Sequence, residues 1–114
     1  MATYTQVKMI EGSVLTSTAA VYFTASGSTL GTKISSMEVY NSDTSPRTVT
    51  IYLATSASAP VLADTLCVLQ LMPGESKKVT AAINELISPN HTIQAKADAS
   101  GVVVIKASGV TITN

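Results

Sequence analysis

The sequence has no tryptophan, one phenylalanine, one histidine and one cysteine among 114 residues. The single cysteine, Cys67, cannot form a disulfide within the chain, and its apolar setting "LCVLQL" favours a small buried side chain over a reactive or metal-binding thiol. A chain of this length buries roughly two-thirds of its unfolded surface, so packing can stabilise it without a disulfide or a metal ion. The sequence therefore predicts one domain with an apolar core.

Charge is also scarce, because seven basic and seven acidic residues make up only 12% of the chain. Nucleic-acid binding needs clustered positive charge, which is missing. No apolar stretch approaches the ~20 residues of a membrane-spanning helix. The first residues, "MATYTQVKMIEGS", have neither the basic nor the apolar part of a secretory signal. We therefore expect no nucleic-acid or membrane partner, and a protein made in a cytoplasm.

The sequence contains few candidates for catalytic residues. His91 lies in the turn "SPNHT" with no acidic residue nearby, and the acidic residues are isolated from one another. "ASGSTLGTK" has two glycines and Lys33 but lacks the Gly-Lys-Ser/Thr of a phosphate-binding loop. The sequence predicts no enzyme, no cofactor and no metal site. His91 is interpreted as a solvent-facing turn residue or, alternatively, as a pH-sensitive or interfacial one.

Serine and threonine are abundant, making up about a quarter of the chain. They alternate with apolar residues in short segments such as "RTVTIYLA", a pattern typical of strands with one polar face. Turn signals recur every 8 to 12 residues. The pattern predicts an all-β fold: a single β-sandwich domain of about eight to ten short antiparallel strands.

Local irregularities are also predictable. In "KISSMEVYN", Met37 and Val39 share one face, but Ile34 has the wrong parity, which predicts a β-bulge at Ser35-Ser36. "MPGE" predicts a type II turn with Gly74 in its positive-φ position. Residues 80–87 are the best helical candidate, as a single turn or a short 3₁₀ piece.

Two segments carry predictions about strand position. "VLADTLCVLQL" (61–71) is apolar on both faces, which predicts a central or doubly covered strand. The loop from Ser42 to Pro46 is interpreted as a hairpin between adjacent strands. Tyr40 and Tyr52 would then either pair across that hairpin or belong to a contact surface.

Four segments in this order resemble small structural proteins of tailed bacteriophages. They are "TAAVYFTA", "KISSMEVYNSDTSPRTVTIYLA", "LQLMPGESKKV" and "HTIQAKADASGVVVIKASG". The shared layout is a strand ending in Asn, a Thr/Val strand, a Pro-Gly-Glu turn and a final "I-x-A-x-A" strand, and it covers residues 13 to 110. One departure is Pro89-Asn90-His91, where such chains commonly have a Gly-Asp type turn.

The resemblance implies a β-sandwich or jelly-roll subunit of a virion, present in many copies. It implies a non-enzymatic capsid decoration or cement protein that bridges and stabilises shell subunits, with the major capsid protein or other virion proteins as partners. A homo-oligomer, dimer or trimer, is expected. Location in the head or in the tail stays open.

We predict that residues 1–12 form an N-terminal strand or extended arm, and that residues 13–114 form the sandwich domain. The arm is the preferred element for adding a strand to a neighbour. Two protruding loops, 41–47 and 88–91, are the next choice. The predicted interface residues are Tyr4, Gln6, Lys8, Asn41, Asp43, Arg47, Tyr52, Asn90 and His91.

Alternatives remain. The main one is a tail- or fibre-associated module that binds a receptor or glycan, which would need exposed aromatic rings or a metal site. A cellular adhesion or carbohydrate-binding module is another, and an enzyme assembled from distant strands is a third.

Overall fold

Nine strands and two 3₁₀ turns make up the protein, as seen in a computed structural model that describes all residues from 1 to 114. The strands are β1 (Thr3–Val14), β2 (Ala20–Thr24), β3 (Gly31–Asn41), β4 (Arg47–Ala54), β5 (Thr65–Leu71), β6 (Ser76–Lys78), β7 (Leu86–Ile87), β8 (Thr92–Ala97) and β9 (Val103–Thr113). The 3₁₀ turns are Leu62–Asp64 and Thr80–Ala82. The all-β prediction is confirmed.

The strands form two antiparallel sheets. Sheet 1 has the order β1-β9-β3-β6, with the short β7 also paired to β3. Sheet 2 has the order β2-β8-β4-β5. The chain crosses from one sheet to the other at every connection except β4 to β5 and β6 to β7. A five-stranded and a four-stranded sheet connected in this way form a jelly roll.

The core lies between the inner faces of the two sheets. Strand alternation sends one side chain in two inward, and both sheets contribute fully buried aliphatic residues: Ile34, Val39 and Ile105 from sheet 1, and Val49, Ile51 and Ile93 from sheet 2. Each such side chain contributes about 2 kcal/mol when it is removed from water. Burial of these residues therefore holds the two sheets together.

The predicted bulge in β3 is confirmed. The pairing of β3 with β9 shifts by one residue between Ile34 and Ser36. This extra residue lets Ile34 and Met37 both face the core, where each is buried. A regular strand would have turned one of them to solvent.

A second bulge lies at the same level, in β1, where the pairing with β9 shifts between Lys8 and Ile10. Gly109 of β9 lies next to the two bulges, opposite Val7 on one side and Ile34 on the other. A Cβ atom at Gly109 would overlap the carbonyl oxygen of Lys33. Only glycine therefore lets the three strands pass each other here.

Two other local predictions are confirmed. The amide of Glu75 donates to the carbonyl of Met72 at 3.0 Å, and Gly74 has φ of 72°, which together define the type II turn. Within the helical candidate, Thr80–Ala82 form a 3₁₀ turn.

Two predictions of strand position are wrong. β5 is an edge strand of sheet 2, and Val68 on it is 58% exposed. The loop after Asn41 is not a hairpin, because β3 and β4 lie in different sheets. Tyr40 and Tyr52 therefore cannot pair across it.

The segment assigned to the N-terminal strand or arm lies within β1. This strand pairs with β9 from Thr3 to Val14, so it has a partner inside the domain, and its other edge is open. The division of the chain into an arm (1–12) and a sandwich (13–114) stays a prediction about the assembled state.

The crowding at Gly109 leads to a stability prediction. We expect Gly109→Ala to lower the free energy of unfolding by about 3 kcal/mol, because the new methyl group meets backbone that cannot move without breaking the sheet. The neighbouring Ser108→Ala, on the exposed face, is the control and should change stability by less than about 0.5 kcal/mol. Urea unfolding followed by circular dichroism measures both, and equal values for the two variants would contradict the packing described here.

Candidate functional site

The outer face of sheet 2 is partly covered by the chain itself. The hydroxyl of Thr92 donates to the carbonyl of Ser56 at 2.7 Å, and the side-chain amide of Gln94 donates to the carbonyl of Ser58 at 2.9 Å. These bonds hold the segment between β4 and β5 against the sheet. Thr92, Gln94 and Tyr52 are buried as a result.

The outer face of sheet 1 has no such cover. A groove of about 550 Å³ crosses β1, β9, β3 and β6 on this face. Its charged lining residues are Lys8, Glu11, Glu38, Lys78 and Lys106, and its hydroxyl-bearing residues are Ser35, Ser36 and Ser108. This open surface, called here the outer face of sheet 1, is the candidate functional site.

The charges on this face form a row across three strands. Glu38 of β3 lies between Lys106 of β9 and Lys78 of β6, directly opposite each in the strand register. Opposite charges in such positions stabilise a sheet modestly. None of the five charged residues in the groove belongs to the protein's three close ion pairs. Their charged groups are therefore available to a partner.

The groove continues along the strands in both directions. Towards the start of β1 it passes Gln6 and Ser108, and towards the other end it passes Val104 and Tyr40. Tyr40 is 41% exposed. The face is thus a long polar surface with an exposed tyrosine near each end, Tyr40 at one and Tyr4 at the other.

The predicted interface residues fall in three separate places. Tyr4, Gln6 and Lys8 are exposed on β1, at alternate positions that place their side chains on the outer face of sheet 1. Asn90 and His91 lie in the loop between β7 and β8, where the backbone of His91 is hydrogen-bonded to Ala25. These residues stay predicted contacts.

Asp43 and Arg47 lie at the opposite end of the sandwich, in the loop between β3 and β4. Oδ2 of Asp43 accepts hydrogen bonds from Nε of Arg47 at 2.9 Å and from its Nη2 at 2.6 Å. Together with the amide of Thr44, this pair holds the pKa of Asp43 below its ordinary value of 3.8. The charges are already paired with each other, so their role as contacts also stays a prediction.

Asn41 and Tyr52 are corrected by the structure, because both side chains are buried and unavailable at the surface. The amide of Asn41 donates to the carbonyls of Ser45 at 2.9 Å and Leu71 at 3.2 Å, and its Oδ1 accepts from the amide of Asp43 at 2.9 Å. Its backbone binds the β5–β6 turn through Gly74 and Glu75. Asn41 therefore joins two loops from within.

Other chemistry-bearing groups are dispersed. No three of the His, Cys, Asp and Glu side chains come together as a metal site. Cys67 is half-buried on β5, and burial raises the pKa of its thiol. No helix in the structure has both the length and the apolar surface to cross a membrane.

Sequence reasoning missed Glu38, Lys78 and Lys106 as a group. Glu38 and Lys106 each stand between two buried residues, so their exposure was readable from the sequence. Their alignment depends on the pairing of β3 with β9 and β6, which joins residues far apart in the chain. No local signal shows that pairing.

Comparison with solved structures finds the same fold in several assemblies. A chain of the acid-stable capsid of the Helicobacter pylori bacteriophage KHP30 matches with a TM-score of 0.58, over 100% of this chain and 99% of its own length, at 9% identity. A chain of the Bacillus endospore appendages, described as disulfide-linked pili, matches with a TM-score of 0.55 over 99% and 90%, at 16% identity.

A third match is a chain of the T13 IBDV viral particle, with a TM-score of 0.50 at 11% identity, of which this chain spans 31%. No protein-family model matches the sequence, and no curated protein matches it. At these identities the likeness shows the fold alone. The jelly roll is shared with phage and viral capsid proteins and with a pilus protein.

The hydrogen bonds of Asn41 lead to a second stability prediction. We expect Asn41→Ala to lower the free energy of unfolding by about 2–3 kcal/mol, because it leaves buried backbone groups without partners. Ser45→Ala is the matched control, since only the backbone of Ser45 takes part, and it should be nearly neutral. Thermal and urea unfolding measure both. A tolerated Asn41→Ala would mean that water replaces the amide.

The lowered pKa of Asp43 leads to a prediction about pH. A carboxyl group whose pKa is depressed on folding stabilises the protein above its unfolded pKa, and this stabilisation is lost as the pH falls through the folded pKa. We therefore expect the wild type to exceed Asp43→Asn in stability at neutral pH, and the difference to disappear at pH values below 3.8. Unfolding measured across a pH series tests this, and a difference independent of pH would contradict it.

Proposed function

We propose that this protein is a non-enzymatic structural subunit of a bacteriophage virion, which docks through the outer face of sheet 1 and stabilises the shell by bridging its subunits. The observation that carries the proposal is the contrast between the two sheets. One outer face is partly covered by the chain's own loop, and the other presents unpaired charges and serine hydroxyls over several strands.

The chemistry of this face suits a protein partner. Short hydroxyl side chains lose little rotamer entropy when they become ordered at a contact. Alternating lysine and glutamate select a partner surface of complementary charge and reject others. The chain carries no net charge, so it has no general attraction for nucleic acid.

The end-to-end match with a chain of the KHP30 capsid supports the phage assignment, since that chain is one domain of nearly this size. A pilus of the disulfide-linked kind needs at least two linking cysteines in each subunit, and the sequence has one, half-buried in β5. The pilus likeness therefore supports the shared fold more than a shared mode of assembly.

The mechanism is stabilisation by preferential binding. A subunit that binds the assembled shell but not its dissociated parts shifts the equilibrium towards the shell by mass action. As a decoration or cement protein it would contact the major capsid protein, and its place in the cell would be the virion after synthesis in the host cytoplasm.

The first test is the location of the protein. Particles purified from cultures that express the chain from its native locus should contain it in many copies, as measured by quantitative mass spectrometry, with cross-links to shell proteins. Particles without the chain should release their nucleic acid at a lower temperature. Its absence from particles would contradict the proposal.

The second test concerns the docking face. We expect Lys78→Glu combined with Lys106→Glu to weaken binding to particles lacking the protein by about tenfold, about 1.4 kcal/mol, because three acidic groups then replace the alternating row. Lys96→Glu makes half of this charge change, at one position on sheet 2, and should bind as the wild type does. Co-sedimentation measures both. Equal weakening by both would show a general charge effect instead of a specific face.

A further inference from the structure

β1 presents a long unpaired strand edge. It is the end strand of sheet 1, and its 12 residues exceed those of the other edge strands, β2, β5, β6 and β7. Proteins usually blunt such edges with proline, charges or bulges. Between Thr3 and Lys8 the pairing with β9 is uninterrupted, and Lys8 is the only charged residue. This edge is therefore open to another strand.

The hydrogen bonds of β9 show which backbone groups of β1 face the open edge. The carbonyl of Val103 accepts from Leu15 on the side of β1, whereas that of Ile112 accepts from Leu30 on the side of β3. Because backbone groups alternate along a strand, the odd-numbered residues of β9 face β1. In the observed register these pair with Thr3, Thr5 and Val7. The backbone groups of Tyr4, Gln6 and Lys8 therefore point to the open edge.

We propose that β1 pairs antiparallel with β1 of a second copy, across a twofold axis at Gln6. Gln6 then lies opposite Gln6 of the second copy, in a pair that exchanges two backbone hydrogen bonds. Tyr4 lies opposite Lys8 of the second copy, and Lys8 lies opposite Tyr4. These two pairs add four more backbone hydrogen bonds. Sheet 1 becomes continuous through both subunits.

The side chains favour this register over its neighbours. Tyr4 is 68% exposed, and in this register the ammonium group of a lysine meets its ring twice, as a cation–π contact. A shift that centres the pairing on Lys8 would place two like charges opposite each other, which destabilises a strand pair. A shift to Thr5 would place Lys8 opposite Ala2 and lose both contacts with Tyr4.

The twofold axis is perpendicular to the sheet, so both outer faces lie on the same side of the dimer. The dimer would then present a docking face of double width, able to reach two neighbouring shell subunits at once. This consequence rests on the proposed function, but the pairing itself is a property of the protein alone.

Light scattering after size-exclusion chromatography tests the pairing. The wild type should have the mass of a dimer across a dilution series. Gln6→Pro should halve that mass while the subunit stays folded, because the lost N–H faces the open edge and has no partner within the subunit. Gln6→Ala is the matched control and should stay dimeric. A monomeric wild type, or a ring or filament made by a different edge, would overturn the proposal.

Disulfide formation tests the register, in a Cys67→Ala background. Opposed residues of a hydrogen-bonded pair have Cα atoms about 5.5 Å apart, within disulfide range. Gln6→Cys should therefore cross-link to itself under mild oxidation, and Tyr4→Cys should cross-link to Lys8→Cys when the two are mixed. Thr5→Cys should not cross-link to itself. In this register the two copies of residue 5 are offset by two residues, about 7 Å along the strand. Cross-linking of Thr5→Cys alone would show a different register and overturn the one proposed.

The two proposals fail separately. A monomer that still binds particles overturns the pairing and leaves the docking face in place. A dimer that binds no particle supports the pairing and counts against the virion role.

Discussion

Sheet 1 depends on one geometric constraint: β1 and β3 must both follow β9 while keeping their apolar residues on the inner face. β9 pairs continuously from Val103 to Thr113, and each of its neighbours carries one extra residue beside Ser108, with a further register shift in β1 between Ile10 and Ser13. Without either extra residue, half of that strand would turn over and expose its apolar side chains. The polar surface of the outer face and the buried positions of Ile34 and Met37 are therefore two results of the same two bulges.

The features that could be predicted from the sequence are those that neighbouring residues decide. The bulge at Ser35 follows from the parity of Ile34 against Met37, and the turn at Gly74 follows from its Pro-Gly pair. The sheet change after Asn41 and the edge position of β5 could not be predicted, because both depend on which distant strand pairs with which. The burial of Asn41 has the same origin, since its amide binds a carbonyl 30 residues away. The row of charges on sheet 1 likewise exists only once three strands are aligned.

The outer faces of the two sheets differ in whether their polar side chains have partners within the chain. On sheet 2, the segment after β4 satisfies the side chains of Thr92 and Gln94, and the polar atoms there need no external partner. On sheet 1, alternation leaves lysine, glutamate and serine side chains in the open, beside an unpaired strand edge. Jelly rolls with this topology occur in capsid chains and in a pilus chain.

The segment between β4 and β5 that covers sheet 2 can dock only after a later strand has been synthesised. The carbonyl of Ser56 accepts from Thr92, 36 residues later, and that of Ser58 accepts from Gln94 at the same separation. The segment after β4 therefore cannot take its final place until β8 has left the ribosome. Until then the apolar side of β4 has neither β8 beside it nor the opposite sheet completed by β9. The nascent chain therefore exposes the apolar side of β4 until β8 and β9 have emerged.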